Sequence, residues 1–155
     1  MPDKPTQPHR LFLDAGVVID GAYNRWGSPK GVLILAAMRT TFRAVIAEPI
    51  HTEILRNMVK KTAALPTADA RMIMRGLTEW YTIARPTRLP WPSADEMHRH
   101  DSLLAVVRHR NDMAAVLARP DWVLSTNTEH WNKELAHRTG LRIAHPAEFL
   151  ERLHA

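Results

Sequence analysis

Acidic and polar residues follow the predicted buried strands of this sequence, where their side chains could act together. Asp14 closes the apolar run that begins at residue 10, and Ser125 and Asn127 stand where the run 122–125 ends. Asp112 is expected in the first turn of a short helix, where the helix dipole favours a carboxylate. Because ligands bind beyond the carboxyl ends of the strands in open parallel sheets, these residues are candidates for a single site.

A further acid, Glu53, is expected one turn inside a helix that begins at Pro49. Its neighbours Ile50 and Ile54 belong to the apolar stripe of that helix, so Glu53 lies at the edge of the stripe and points partly inward. A buried carboxylate is costly unless it is paired or binds a cation. Several such acids at one sheet edge would make a site for a hard divalent ion.

Each of these residues also has a purely structural interpretation, and the pattern alone leaves both open. Asp14 could bond nearby amides at the end of its strand, and Glu53 could pair with Asn57 on the surface. Asp112 could serve only the helix dipole, and Asn127 could be a turn residue.

Short apolar runs alternate with helical patterns, and these elements must position the candidate residues. Strands are predicted at 10–14, 42–47, 122–125 and 141–144. Helices are predicted at 31–40, from 49 onward, and at 67–83, 112–118, 130–139 and 146–153. The proline-rich segment 85–95 should be irregular, and 103–107 fits a strand or a helix equally well. The alternation predicts an α/β architecture with a mainly parallel sheet.

Composition narrows the class of protein. The chain has 155 residues, 45% of them hydrophobic and none of them cysteine. The absence of cysteine excludes a disulfide framework, a thiolate zinc site and a cysteine nucleophile. The longest apolar run, 31–38, is too short to span a membrane. We expect a polar tail at 1–9, a single domain at 10–155 and a cytoplasmic location.

The charge of the chain favours a polyanionic partner. Lysine and arginine number 21 against 16 acids, which gives a net charge of +5, and most of the cations are arginine. Arginine suits phosphate well, although a basic surface can also serve solubility alone. Tyr23 and Trp26 could stack on bases, and His109 and Arg110 could contact phosphate. RNA contact by these four residues is therefore a prediction, with loop packing or a solvated surface as the alternative.

Four segments, in order, resemble the motifs of PIN-domain nucleases. LFLDAGVVIDGAY resembles the opening strand and its acid, and AVIAEPIHTEILRNMVKK resembles the second strand and the helix with the second acid. HRNDMAAVLARPDWVLSTNTEHW is similar to the third acid, a short helix, a strand and a Ser/Thr-x-Asp/Asn turn. TGLRIAHPAEFLERL resembles the last strand and helix, so the resemblance covers residues 10–153.

The resemblance implies a three-layer α/β/α sandwich and Mg²⁺- or Mn²⁺-dependent hydrolysis of RNA. Asp14, Glu53 and Asp112 would be the catalytic, metal-binding acids. Asn127 falls where many members have a fourth catalytic acid, and together with Ser125 it would position water. Many small bacterial members are toxins of toxin–antitoxin pairs, so an antitoxin protein is an implied partner. A homodimer is a further alternative, since the helical stripe Ile73/Leu77/Tyr81 could be core or a dimer face.

The chain departs from the family pattern at three points. Asn127 removes one negative charge, and Gly16 stands where many members carry Asn. The interval between Asp112 and Asn127 is short, which keeps Asp101 in reserve as the third acid. The alternatives to a ribonuclease are a degenerate PIN-like domain that binds RNA or a partner protein, and a nuclease that acts on DNA.

Overall fold

Five parallel strands form the central sheet of the computed structural model, which describes residues 7–100 and 110–154. The spatial order is β3-β2-β1-β4-β5, so the first strand lies in the middle. Parallel strands reach the same edge with their carboxyl ends, as the sequence predicted for the strands that precede Asp14 and Ser125. The strands are β1 (His9–Leu13), β2 (Phe42–Ala47), β3 (Thr87–Leu89), β4 (Trp122–Leu124) and β5 (Ile143–Ala144).

Helices flank the sheet and complete the predicted three-layer α/β/α arrangement. α1 and α2 connect β1 to β2, and α3 and α4 connect β2 to β3. α3 packs against α1, α4 and α6, and α2 packs against α8. The helices are α1 (Ala15–Tyr23), α2 (Ser28–Met38), α3 (Glu48–Ala63), α4 (Thr67–Ala84), α5 (Ala94–Arg99), α6 (Arg110–Ala118), α7 (Lys133–Thr139) and α8 (Pro146–Leu153).

The core lies on both faces of the central strands. Leu11, Phe12 and Leu13 are fully buried in succession, the pattern of a parallel strand covered by helices on both sides. Trp80 of α4 joins this core and donates its indole N–H to the carbonyl of Leu33, at 2.8 Å. No helix in the described ranges is long and apolar enough to cross a membrane.

Several local predictions were wrong. α1 is a helix that was not among the predicted ones. β3 lies inside the segment expected to be irregular, because Thr87 and Leu89 pair with Val45 and Ala47 of β2. α6 begins at Arg110 rather than at 112, and α7 begins at Lys133 rather than at 130. The segment 103–107, Asp101 and His109 lie outside the described residues.

Candidate active site at the carboxyl edge of the sheet

Asp14 and Ser125 meet where β1 and β4 end side by side. The backbone N–H of Asp14 donates to the carbonyl of Leu124 at 3.0 Å, which continues the pairing of the two strands by one residue. The Ser125 hydroxyl donates to Asp14 Oδ2 at 2.7 Å. Ser125 is buried and Asp14 is half-buried, so the bond fixes one face of the Asp14 carboxylate.

Asn127 organises the turn that follows β4. Its backbone N–H donates to Ser125 Oγ at 3.0 Å, and its side-chain Oδ1 accepts the backbone N–H of His130 at 3.2 Å. Its carbonyl also accepts the N–H of Trp131 at 3.0 Å. Asn127 is therefore a turn residue, which was one of the two interpretations that the sequence left open. It also lies two residues after Ser125, which donates its hydrogen bond to Asp14.

Asp112 is joined to the same turn by a residue that the sequence analysis did not single out. His130 Nε2 lies 2.6 Å from Asp112 Oδ1. The Asp112 side chain is fully buried and the His130 side chain is 27% exposed. A buried carboxylate needs a partner, and the imidazole provides one. Hydrogen bonds thus run from Asp14 through Ser125, Asn127 and His130 to Asp112.

Glu53 is exposed, so the prediction that it points partly inward was wrong. It lies on α3, and Asn57 donates its side-chain amide to the backbone carbonyl of Glu53 at 3.0 Å. α3 itself packs against α1, which Asp14 caps, and against α6, which carries Asp112. A role for Glu53 beside Asp14 and Asp112 stays a prediction.

The chain packs closely where Gly16 meets the Ser125–Asn127 turn. A Cβ at residue 16 would lie 2.6 Å from Thr126 Oγ1 and 4.0 Å from Thr126 Cβ. The first distance is a clash, so the side chain of Thr126 occupies the space that a larger residue at position 16 would need. The small residue at position 16 is therefore matched by Thr126, whose side chain fills the space that asparagine would need.

The residues predicted to contact RNA fall in different places. Tyr23 is half-buried at the end of α1, with the Lys61 ammonium 5.3 Å from its ring centre. Trp26 is 82% exposed in the following loop. At 1.5 Å per residue, α1 carries Tyr23 roughly 13 Å along its axis from Asp14. Arg110 begins α6, two positions before Asp112. Contact of these residues with RNA stays a prediction.

A second polar cluster lies at the carboxyl end of β2. Arg88 binds both carboxylate oxygens of Glu48 at 2.8 Å, and His51 Nδ1 lies 2.9 Å from the Tyr81 hydroxyl. Burial and the nearby Arg88 charge lower the pKa of His51. Burial raises the pKa of Tyr81 to about 12. The ion pair of Arg88 with Glu48 joins β3 to α3, and the contact of His51 with Tyr81 joins α3 to α4.

A groove of about 530 Å³ adjoins the candidate site on the β5 side. Ser125 and Thr128 line it next to the acids, and Ile143 and Ala144 supply apolar surface. Lys133 lines it with a positive charge, and Glu134 and Glu148 line it with negative charges. The groove therefore adjoins the candidate site through Ser125.

The donor atoms suit a hydrated divalent ion better than a closed metal cage. Within the described ranges, no group of three or more His, Asp or Glu side chains could hold a metal ion. Asp14 and Asp112 nevertheless bring two carboxylates to one hydrogen-bonded region. Mg²⁺ keeps several waters and is commonly bound through one or two carboxylates and substrate phosphates. Binding of such an ion by Asp14 and Asp112 stays a prediction.

Comparison with known proteins supports the fold. No family model matches the chain, and no curated protein matches it significantly by sequence. Among solved structures, the chain is similar to a chain in the crystal structure of VapBC2 from Rickettsia felis, a complex that is bound there to a DNA fragment from its promoter. The TM-score is 0.55 at 12% sequence identity, over 88% of this chain and 98% of that one. The chain therefore shares the three-layer α/β/α fold of that structure.

Proposed function

We propose that this chain is a metal-dependent endoribonuclease that acts at the carboxyl edge of its sheet. The observation that carries the proposal is the series of hydrogen bonds from Asp14 to Asp112. It gathers two acids, a hydroxyl and an amide from three separate parts of the sequence. The resemblance of the same residues to the PIN-domain motifs points to phosphodiester hydrolysis.

Asp14, Asp112 and Glu53 would hold Mg²⁺ or Mn²⁺, with Glu53 approaching from α3. A bound divalent ion supplies charge neutralisation for the phosphate and lowers the pKa of a coordinated water. Ser125 fixes the orientation of Asp14, because its hydroxyl occupies Oδ2. Asn127 shapes the turn and presents its exposed amide to water. His130 is a positioning residue that holds the buried Asp112 carboxylate.

We also propose that the chain is the toxin of a toxin–antitoxin pair. The similar structure is a VapBC2 complex, and its fold is shared over most of this chain. Several large apolar side chains are exposed on α3 and α4, among them Leu55, Val59 and Met72, and an antitoxin segment would cover such a surface. Co-expression with the product of a short adjacent reading frame, followed by co-purification, tests this partnership.

A degenerate domain that only binds RNA or protein is the second candidate. Two observations favour it: the described residues contain no three-residue metal group, and Asn127 is neutral where a fourth acid is common in the family. A protein of this kind would bind RNA and leave it intact even when Mn²⁺ is present. Catalysis and binding are therefore separable by experiment.

The test measures cleavage of single-stranded RNA against Mn²⁺ concentration, with a DNA of the same sequence alongside. We expect Asp14→Asn to abolish cleavage, while Asp69→Asn, an exposed acid on α4, behaves as wild type. Asn127→Asp keeps the acceptor for His130 and adds a charge, so it should raise the rate at low Mn²⁺. Equal cleavage by wild type and Asp14→Asn would sink the nuclease proposal, and cleavage of DNA alone would replace RNA as substrate.

A further inference from the structure

Three helices of this chain end on an arginine in the left-handed conformation. Arg39 follows α2 with φ 58°, Arg85 follows α4 with φ 45°, and Arg119 follows α6 with φ 47°. In the described ranges, every non-glycine residue with positive φ is one of these arginines. Glycine or asparagine is usual there, because a larger side chain crowds the backbone. The repeated choice of arginine at strained positions indicates a requirement for its guanidinium.

The three arginines lie on the same edge of the sheet. β2 begins three residues after Arg39, β3 two residues after Arg85, and β4 three residues after Arg119. Since all strands are parallel, their starts share one edge, and that edge is opposite to the ends marked by Asp14 and Ser125. We call Arg39, Arg85 and Arg119 the arginine edge.

Neighbouring strands add further basic residues to the arginine edge. Arg10 and Arg43 are direct partners in the pairing of β1 with β2. Thr87 of β3 pairs with Val45 of β2. Arg85 stands two residues before Thr87 and Arg43 two residues before Val45, so the register places these two arginines at the same level along the strands. With strands about 4.8 Å apart, the row from β3 to β4 is about 14 Å wide.

The guanidinium groups of the arginine edge are not committed to the fold. Their side chains make no ion pair and donate no hydrogen bond to any residue in the described ranges. Arg85 and Arg119 are exposed, whereas Arg39 is half-buried and its Nε is buried without a hydrogen-bond partner. Other arginines nearby do serve the fold: Arg10 donates to the Ala118 carbonyl at 2.7 Å, and Arg142 lies 3.9 Å above the Trp122 ring.

The surroundings of Arg119 form a cleft. A cavity of about 380 Å³ lies between the end of α6 and the start of β5, lined by Arg119, His100 and Gly140 among others. One acid on this edge, Asp121, accepts the backbone N–H of Arg10 at 2.7 Å. The edge therefore keeps a positive excess and a concave portion that could take a phosphate.

We propose that the arginine edge binds the phosphodiester backbone of a nucleic acid, as a second surface separate from the candidate active site. Arginine suits this ligand, because its planar fork can bind two phosphate oxygens at once and stays charged. A phosphate backbone also needs no base-specific pocket, so a row of unpaired guanidinium groups is sufficient for it. The proposal goes beyond the ribonuclease activity and does not depend on cleavage.

The test measures binding by fluorescence anisotropy in EDTA, with labelled single-stranded RNA and duplex DNA of one sequence, between 50 and 300 mM NaCl. The triple variant Arg39→Asn/Arg85→Asn/Arg119→Asn removes the charges and keeps residues that tolerate the left-handed conformation. We expect its Tm to be equal to or above that of wild type. The slope of log affinity against log salt is negative, and its magnitude should decrease by roughly 2 on single-stranded RNA, at about 0.7 for each lost phosphate contact.

The matched control is Arg56→Gln/Arg71→Gln/Arg75→Gln, which removes three exposed arginines from α3 and α4. The control should keep the wild-type slope, and Arg→Lys at the edge positions should retain most of it. The proposal is overturned if the two triple variants have equal slopes, or if the wild-type protein binds neither nucleic acid. An acidic protein would then be the alternative occupant of the arginine edge. If the Asn triple variant does not fold, each single variant should lower the slope by about 0.7. Wild type that binds in EDTA but does not cleave RNA when Mn²⁺ is supplied would remove the proposed nuclease function and leave this surface standing.

Discussion

At the scale of single residues, the candidate site depends on how a buried carboxylate is held. Asp112 has no exposed side-chain surface, and His130 contacts it from the turn after β4. Carboxylates that bind metals are generally oriented by such hydrogen bonds, and loss of the orienting group typically lowers metal affinity 10–100-fold. Under the proposed function, the contact of His130 with Asp112 would contribute both to stability and to metal binding.

We expect His130→Ala to weaken Mn²⁺ binding roughly 10–100-fold. It should also lower the free energy of unfolding by roughly 1–3 kcal/mol, because a buried acceptor loses its partner. His130→Gln can still donate to Asp112 and should recover part of both effects. Calorimetric titration with Mn²⁺ and urea unfolding of the metal-free protein measure the two quantities.

The control for this prediction is His137→Ala, an exposed histidine on α7 that should change neither quantity. Wild-type Mn²⁺ affinity in a folded His130→Ala protein would show that His130 does not position Asp112. Wild type without measurable Mn²⁺ binding would instead count against the metal-dependent function itself.

Gly16 and Thr126 form a size pair that can be tested by compensation. Gly16→Ala places a Cβ 2.6 Å from Thr126 Oγ1, and such overpacking typically costs 1–3 kcal/mol. Thr126→Ala removes the clashing oxygen and leaves only the Cβ at 4.0 Å, an ordinary contact. The double variant should therefore regain wild-type stability or exceed it, since Ala is a better helix residue than Gly. A loss in the double variant equal to that of Gly16→Ala would show that Thr126 is not the obstacle.

At the scale of elements, the strong periodic patterns of the sequence predicted the fold well. β2 and α8 have the predicted bounds. β2 is a contiguous apolar segment and α8 is an amphipathic one that begins at a proline, so the ends of both are clear in the sequence. α1 was missed because apolar residues surround most of its axis and Gly16 and Gly21 interrupt it, so it shows no polar face. β3 was missed because three residues between prolines form a strand only through pairing with β2.

The candidate site was predictable only where position along an element decides it. Asp14 and Ser125 lie at strand ends, so the parallel sheet brings them together. The contact of His130 with Asp112 joins residues 18 positions apart and depends on the path of the turn, which no local pattern encodes. The three left-handed arginines were hidden for the same reason, since a positive φ is not visible in residue type.

The contact between α3 and α4 should make stability depend on pH. The folded protein lowers the pKa of His51 below the ordinary 6.5, through burial and the Arg88 charge, with a smaller opposing effect of Glu48. The unfolded chain therefore binds a proton at His51 more readily than the folded one. Stability from this residue is complete above pH 6.5 and is lost as the pH falls through the folded pKa.

Urea unfolding between pH 5 and 8 measures this effect. His51→Gln should flatten the acid-side loss of stability relative to wild type, while His137→Gln, on the exposed face of α7, should keep the wild-type profile. Parallel profiles for His51→Gln and wild type would contradict a perturbed His51.

At the scale of the whole molecule, the parallel sheet separates two kinds of surface. Asp14, Ser125 and Asp112 gather at the carboxyl edge, and the arginine edge lies at the opposite end of the same strands. β2 has six residues, so the two edges are about 20 Å apart at 3.3 Å per residue. A nucleic acid must therefore be long enough to contact both.

This separation predicts that the effect of the arginine edge depends on RNA length. At about 3.4 Å per nucleotide along a stacked strand, roughly six nucleotides are needed to cover 20 Å. We expect the Asn triple variant to cleave RNAs shorter than this with the kcat/KM of wild type. On longer RNAs it should show a raised KM and an unchanged kcat, because the lost contacts hold substrate and transition state equally. The measurement is kcat and KM for a series of RNAs from four to thirty nucleotides, with the α3/α4 Gln triple variant as control. A uniform loss of kcat at every length would place the arginines in the support of the candidate active site, and equal KM values on the longest RNAs would remove them from substrate binding.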